Sequence, residues 1–148
     1  MKKTRFAGRK KQAGFGLLEV LITVAILSII ATLAAPTLFS RGDTAKVAAT
    51  KAQISSIVTA LSMYKLDNQV FPSTNQGLDA LVEKPSGYPQ ANNWSSDGYM
   101  RKLPKDGWGN DFLYISPGST GPFEIISYGS DGVSGGEDTA ADILSSEL

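Results

Sequence analysis

The residues able to do chemistry in this 148-residue chain are carboxylates, and they stand in two telling places. One is Glu19, the only charge in the apolar stretch FGLLEVLITVAILSIIATLAAPTLF over residues 15–39. The other is Asp131-Gly132-Val133-Ser134-Gly135-Gly136-Glu137-Asp138-Thr139-Ala140-Ala141-Asp142, where four acids and three glycines share twelve positions. Hard carboxylate and carbonyl oxygens on a tightly turning backbone suit Ca²⁺, which takes 6–8 oxygens. The segment is no EF-hand, because Val133 and Gly135 stand where that loop needs acidic or amide ligands. On the residues alone a cation site and a solvated acidic turn both remain open, since Gly and Asp also simply mark turns. Glu19 raises a different question. An acid at the centre of a bilayer costs about 2.5–3.5 kcal/mol, less toward the interface, so such a residue implies a function and a partner. The plainer alternative is a Glu resting at headgroup level.

Other chemistry is thinly supplied. The chain has no histidine and no cysteine. That removes the commonest general base, the commonest transition-metal ligand, every Ser-His and Cys-His arrangement, disulfides and thiolate metal sites. Carboxylate or Ser-Lys catalysis remains formally possible, but no nucleophile-plus-base signature supports it, and no enzyme is expected. There is no nucleotide-binding loop either.

The net charge of zero hides a strong asymmetry. Lys2, Lys3, Arg5, Arg9, Lys10 and Lys11 precede the apolar stretch with no acid among them. Without that leader, eight basic residues face fourteen acids, a net charge of −6. Beyond Lys105 there is no Lys or Arg, while eight acids follow. Phosphate binding needs clustered cations, so nucleic acid is excluded as a partner of this region.

These groups must be held by something. Residues 15–39 as a helix span about 37 Å, enough to cross a hydrocarbon core of about 30 Å. The basic leader keeps the N-terminus cytoplasmic and sends the rest across. A removable signal peptide is the competing reading, with cleavage near Ala34 and Ala35. It accounts neither for so long an apolar run nor for the acid near its start. The helix is expected to continue to about residue 66. Val47, Ile54, Val58, Leu61 and Lys65 recur at helical steps, and Ile57, Tyr64 and Leu66 widen the stripe. Pro36 should kink or loosen it, and Gly42 is a second weak point. Asp67-Asn68-Gln69 and Phe71-Pro72 end it. A short helix is expected over 76–83, a loop over 85–97, strands over 112–115 and 123–127, and a third short strand near 99–103.

With these pieces in place the chain resembles a known family. Gly14-Phe15-Gly16-Leu17-Leu18-Glu19 resembles the N-terminal signal of type IV pilins and pseudopilins, with Gly16 where Thr or Ser is usual. Further stretches narrow the resemblance to the major pseudopilins of type II secretion, the general secretion pathway protein G family. Among them are Tyr64-Lys65-Leu66-Asp67-Asn68, Gln76-Gly77-Leu78-Asp79-Ala80-Leu81-Val82, Trp108-Gly109-Asn110, Gly121-Pro122-Phe123 and Asp131-Gly132. Gly107 and Asp111 stand where that family has prolines, and the C-terminus Leu144-Ser145-Ser146-Glu147-Leu148 lacks its tryptophan. The absence of cysteine also separates the chain from type IV pilins proper, which close this region with a disulfide. The nearest rival readings are such a pilin or a competence pseudopilin. A periplasmic calcium-binding module on an uncleaved anchor is a further one.

The resemblance implies an α+β, type IV pilin-like fold. A long N-terminal transmembrane and fibre helix packs against a small antiparallel sheet, with a C-terminal calcium loop. It implies three segments: a leader over 1–14, an apolar helix over 15–39 and a periplasmic domain over 40–148. A prepilin peptidase would cut between Gly14 and Phe15 and methylate Phe15, and Glu19 would pair with the freed amine of a neighbour during assembly. The product would be a homopolymer in the periplasm, made from a single-pass protein of the Gram-negative inner membrane. Minor pseudopilins and an inner-membrane assembly platform would be its partners. For the loop the resemblance implies Ca²⁺, held by Asp131, Asp138 and the carbonyls of Tyr128 and Val133. Asp142 would be a further ligand, a helix N-cap or a loop-closing hydrogen bond.

Overall fold

The computed structural model describes residues 16–148, except for the side chains of residues 33–41. The leader, Gly14 and Phe15 lie outside the described residues, as does the loosening expected at Pro36. The chain forms two units, one ending at Phe39 and the other Ser40–Leu148.

One helix, α1, is assigned over Leu17–Asn68. In the first unit its described side chains lie open: Leu17, Leu18, Leu21, Leu27 and Ile29 are all more than half exposed. Their hydroxyl neighbours are satisfied within the helix. Thr23, Ser28 and Thr32 each donate to the carbonyl four residues back, so this stretch shows little unpaired side-chain polarity to its surroundings. Among the described residues, no helix is long and apolar enough to cross a membrane. In the sequence the apolar run continues through residues 33–39.

In the second unit α1 becomes one wall of a core. Ile54, Ile57, Leu61 and Tyr64 are fully buried, at steps of three and four that keep them on one helix face. Burying each such aliphatic side chain contributes about 1.5–3 kcal/mol. Val47 and Val58 pack at the edge of this cluster. Leu66, expected to widen the stripe, is instead 75% exposed. It sits five residues beyond Leu61, about 140° around the helix, and so faces away. The helix ends where Gln69 takes a positive φ of 65° and its amide still reaches the Lys65 carbonyl at 2.8 Å.

The segment expected to be a helix over 76–83 is a four-residue 3₁₀ turn, Leu78–Leu81. It does bury Leu78, Ala80 and Leu81. Its last carbonyl is taken by two amides from farther along the chain, Tyr99 at 2.8 Å and Met100 at 3.0 Å. That sharing makes residues 99–100 a corner and not a ladder, so no strand forms near 99–103.

The sheet has three antiparallel strands in the order β1-β2-β3. They are β1 Leu113–Ile115, β2 Glu124–Ser127 and β3 Ile143–Leu144. Tyr114 pairs with Ile125, and Ser127 with Ile143. The third strand therefore comes from the C-terminal end, bringing buried Ile143 onto the core. The acidic segment is the connection between β2 and β3. The α+β expectation of a long helix with a small antiparallel sheet holds.

Candidate functional site

The loop from Tyr128 to Asp142 is built as a cinched connection. The Ser130 amide donates to the Thr139 carbonyl at 2.9 Å, and the two side-chain hydroxyls lie 3.4 Å apart. Gly129, at φ 59°, sits against the 139–140 backbone: a Cβ there would lie 2.8 Å from the Thr139 oxygen. Only glycine allows both that φ and that approach. The base of the loop is tied down by Asn110, whose side-chain amide donates to the Gly129 carbonyl at 3.2 Å.

Within this frame Asp131, Val133 and Asp138 are exposed, whereas Tyr128 and Asp142 are half-buried. The Tyr128 carbonyl accepts from the Gly132 amide at 3.2 Å, and Asp131 Oδ1 accepts from the Val133 amide at 3.2 Å. Asp138 opens a short 3₁₀ turn, Asp138–Ala140, and holds a positive φ of 54°, sparsely populated for a residue with a Cβ. Asp142 caps no helix. Its Oδ2 accepts from the Gly135 amide at 3.0 Å and the Ser134 hydroxyl at 3.4 Å, closing the loop across seven residues. Its Oδ1 is buried and has no hydrogen-bond partner among the described residues.

Asp138 and Asp142 line one cavity of about 220 Å³ with Val47 and Lys51 of α1 and Glu147 near the C-terminus. Asp131 is not on it. Among the described residues, no three His, Cys, Asp or Glu side chains gather closely enough to hold a metal ion. The donors nonetheless suit a hard cation in kind. They are carboxylates and carbonyls only, a carbonyl keeps a second lone pair after one hydrogen bond, and the orphaned Asp142 oxygen is the sort of buried acceptor that an ion satisfies. Glu19, the other candidate, lies in the first turn of α1, with its backbone amide bonded to the Gly16 carbonyl at 2.9 Å.

Two further carboxylates, which residue spacing does not single out, fasten the domain together. Asp106 is buried, and its Oδ1 accepts from the amides of Trp108 and Asn110 at 2.9 and 2.8 Å. Its Oδ2 accepts from the Ser127 hydroxyl at 2.8 Å, joining the 106–110 turn to β2. The signal was present in Asp106-Gly107, a pair that marks turns in which the Asp side chain bonds the backbone two residues on. Glu124 is the second. It is buried in β2 and accepts from Ser119 at 2.6 Å and Ser146 at 2.7 Å, fastening the β1–β2 loop and the C-terminus to the sheet. Those hydrogen bonds, Ser119 foremost, hold its carboxyl below the usual glutamate range. Nothing local in the sequence marks it.

Comparison with known proteins bears on this arrangement. A family described as type II secretion system (T2SS), protein G matches residues 37–146, and a prokaryotic N-terminal methylation motif matches residues 9–35. The type II secretion system core protein G of Pseudomonas aeruginosa is 53% identical over 135 residues, covering 91% of this chain and 95% of that one. The protein of the same name in Vibrio cholerae is 47% identical over 143 residues, covering 97% and 94%. In three dimensions the chain is similar to the major pseudopilin of the type 2 secretion system of enterohaemorrhagic Escherichia coli. The TM-score is 0.68 at 40% identity, covering 76% of this chain and 96% of that one.

Proposed function

The chain belongs to the type II secretion system protein G family, and we propose that it works as the major pseudopilin, polymerising into a periplasmic pseudopilus that drives folded proteins across the outer membrane. It is a structural subunit and not an enzyme. The observation that carries this reading is the pairing of the two matched regions in one chain, the methylation motif at 9–35 and the protein G domain at 37–146. The geometry supports it. Helix α1 exposes bare apolar side chains in its first unit and serves as a core wall in its second, as a fibre subunit with a retained helix requires.

A prepilin peptidase cuts between Gly14 and Phe15 and methylates the new amine. Glu19 then pairs with that amine on a neighbouring copy. A lone carboxylate buried among apolar helices costs several kcal/mol, so docking that leaves it unpaired is disfavoured and the pair sets the register. Before assembly the apolar helix anchors the chain as a single pass in the Gram-negative inner membrane, with the 40–148 domain in the periplasm. An assembly platform there extracts it, and minor pseudopilins join the same fibre. In the C-terminal loop, Asp131, Asp138 and the carbonyls of Tyr128 and Val133 hold Ca²⁺, with Asp142 as the further candidate ligand. The ion would supply charge neutralisation, letting like-charged carboxylates share one glycine-rich loop.

Intact mass of the mature protein tests the premise. The expected mass lacks residues 1–14 and carries one added methyl group. A mature chain beginning beyond the apolar stretch would overturn the reading. Glu19→Leu and Glu19→Asp variants address assembly, and normal fibres from both would remove the pairing.

A further inference from the structure

The second unit carries a built groove that the fold itself does not use. A cavity of about 510 Å³ is lined by Asn75, Asp79, Glu83, Lys84 and Tyr88, among others. Tyr88 is 89% exposed, more than any other large apolar or aromatic side chain among the described residues. Yet its loop is held rigidly from below. Gln76 donates through Nε2 to the carbonyls of Ser86 at 3.2 Å and Pro89 at 2.8 Å, while its Oε1 accepts from the Ser73 amide at 3.0 Å. The side chains of Asn75, Asp79, Glu83 and Lys84 make no hydrogen bond or ion pair among the described residues. The fold thus fixes an aromatic ring in water beside four polar groups left unengaged.

We infer that this groove seats a second copy of the chain, with Tyr88 as the anchor of a contact between successive subunits. The inference rests on the fibre reading above. An aromatic presented on a pre-organised loop at the edge of a pocket is the kind of residue that dominates binding energy at protein interfaces. Two carboxylates, Asp79 and Glu83, against one ammonium, Lys84, make the groove net negative, so it suits cationic side chains. The chain supplies such cations elsewhere on the same unit. Lys46, Arg101 and Lys102 are exposed, with no carboxylate in ion-pair reach among the described residues. A groove meeting a different surface of the next copy is a head-to-tail contact, and repetition of such a contact builds an open helical filament wherever the rotation does not close into a ring.

The test places the photo-crosslinker p-benzoylphenylalanine at position 88 of the full chain, in cells making fibres. Irradiation should yield a ladder at multiples of the subunit mass, with the adducts mapped to peptides carrying Lys46, Arg101 or Lys102. The double variant Asp79→Lys/Glu83→Lys should lower fibre yield about tenfold or more, the effect of losing one strong contact, with the melting temperature unchanged. Adducts only to other proteins or to small molecules, no adducts at all, or full fibre yield from the double variant would each overturn the proposal. Fibres of the unaltered chain separate the two readings. If they form and position 88 stays silent, only the groove assignment falls; if they do not form, both fall.

Discussion

The backbone amide of Gly107 donates to the Thr50 hydroxyl across 2.9 Å, and Thr50 in turn donates to the Lys46 carbonyl one turn back at 2.9 Å. Thr50 is fully buried, so this chain of two bonds fixes the 106–110 turn onto α1. The approach is close enough that a Cβ at 107 would lie 2.9 Å from the Lys46 Cα and overlap its carbonyl. Gly107→Ala should therefore destabilise by about 1–3 kcal/mol through overpacking. Thr50→Val should cost about 1 kcal/mol by removing the hydroxyl that the half-buried Gly107 amide donates to. Denaturant midpoints of the purified chain check both. The double variant should cost less than the sum, because each change breaks the same contact.

Two buried tyrosines should respond in opposite directions to loss of their hydroxyls. Tyr64 is fully buried, and its hydroxyl has no partner among the described residues, whereas Tyr114 donates to the Pro72 carbonyl at 2.9 Å. Tyr64→Phe should be neutral or stabilising by about 1 kcal/mol, and Tyr114→Phe should cost about 1–3 kcal/mol. Burial also pushes the Tyr114 hydroxyl up to about 12 from its ordinary 10.0. Its folded state holds the proton longer than the unfolded chain does, so its share of stability is intact below 10 and fades as pH climbs toward 12. Alkaline unfolding followed by circular dichroism should show a smaller decline over that interval in Tyr114→Phe.

The tyrosines and Gly107 show where the sequence could be read and where it could not. Spacing alone announces a buried face on this part of α1 and includes Ile54, Ile57, Leu61 and Tyr64 in it, but it also draws in Lys65 and Leu66, which are exposed. Leu78 and Leu81 mark the cover over that face, though as a 3₁₀ turn where spacing suggests a longer helix. The apolar start of α1 is equally plain. What spacing cannot carry is contact between distant segments. Gly107 reads only as a departure from the family's proline, whereas the close approach of its backbone to Lys46, some sixty positions earlier on α1, appears only in the folded chain. The third strand is invisible locally because two residues, Ile143 and Leu144, show no alternation. They become a strand only because β2 offers an open edge. The acidic loop was legible as a loop of oxygen donors. That Asp142 turns one oxygen to Gly135 and leaves the other buried is a property of the folded connection.

Glu124 gives the domain an acid-sensitive fastening. Ser119 and Ser146 hold its carboxyl below the ordinary 4.5, so the folded state favours the charged form. Its contribution is fully present above 4.5 and is lost as pH falls through the lowered folded value. Stability measured by denaturant from neutral to acid pH should drop more steeply in the native chain than in Glu124→Gln. The glutamine variant should start less stable at neutral pH. Parallel curves for the two proteins would reject this role.

The calcium proposal separates cleanly by experiment, because Asp142 already has a role that needs no ion. If Asp131 and Asp138 hold Ca²⁺, the chain should melt higher in calcium than in EDTA. Chelation should also expose residues 131–138 to protease, since anything that binds only the folded state stabilises it. Asp131→Asn and Asp138→Asn should each abolish that difference while leaving the EDTA melt close to that of the unaltered chain. Asp142→Ala distinguishes ligand from clamp. As a clamp, it loses the bonds from Gly135 and Ser134 and lowers both melts together, keeping the calcium increment. As a ligand through its unpartnered oxygen, it loses the increment too. An unaltered chain whose melt and cleavage pattern are the same in calcium and in EDTA would remove the ion from this loop. Asp142 would then remain as a loop clasp alone.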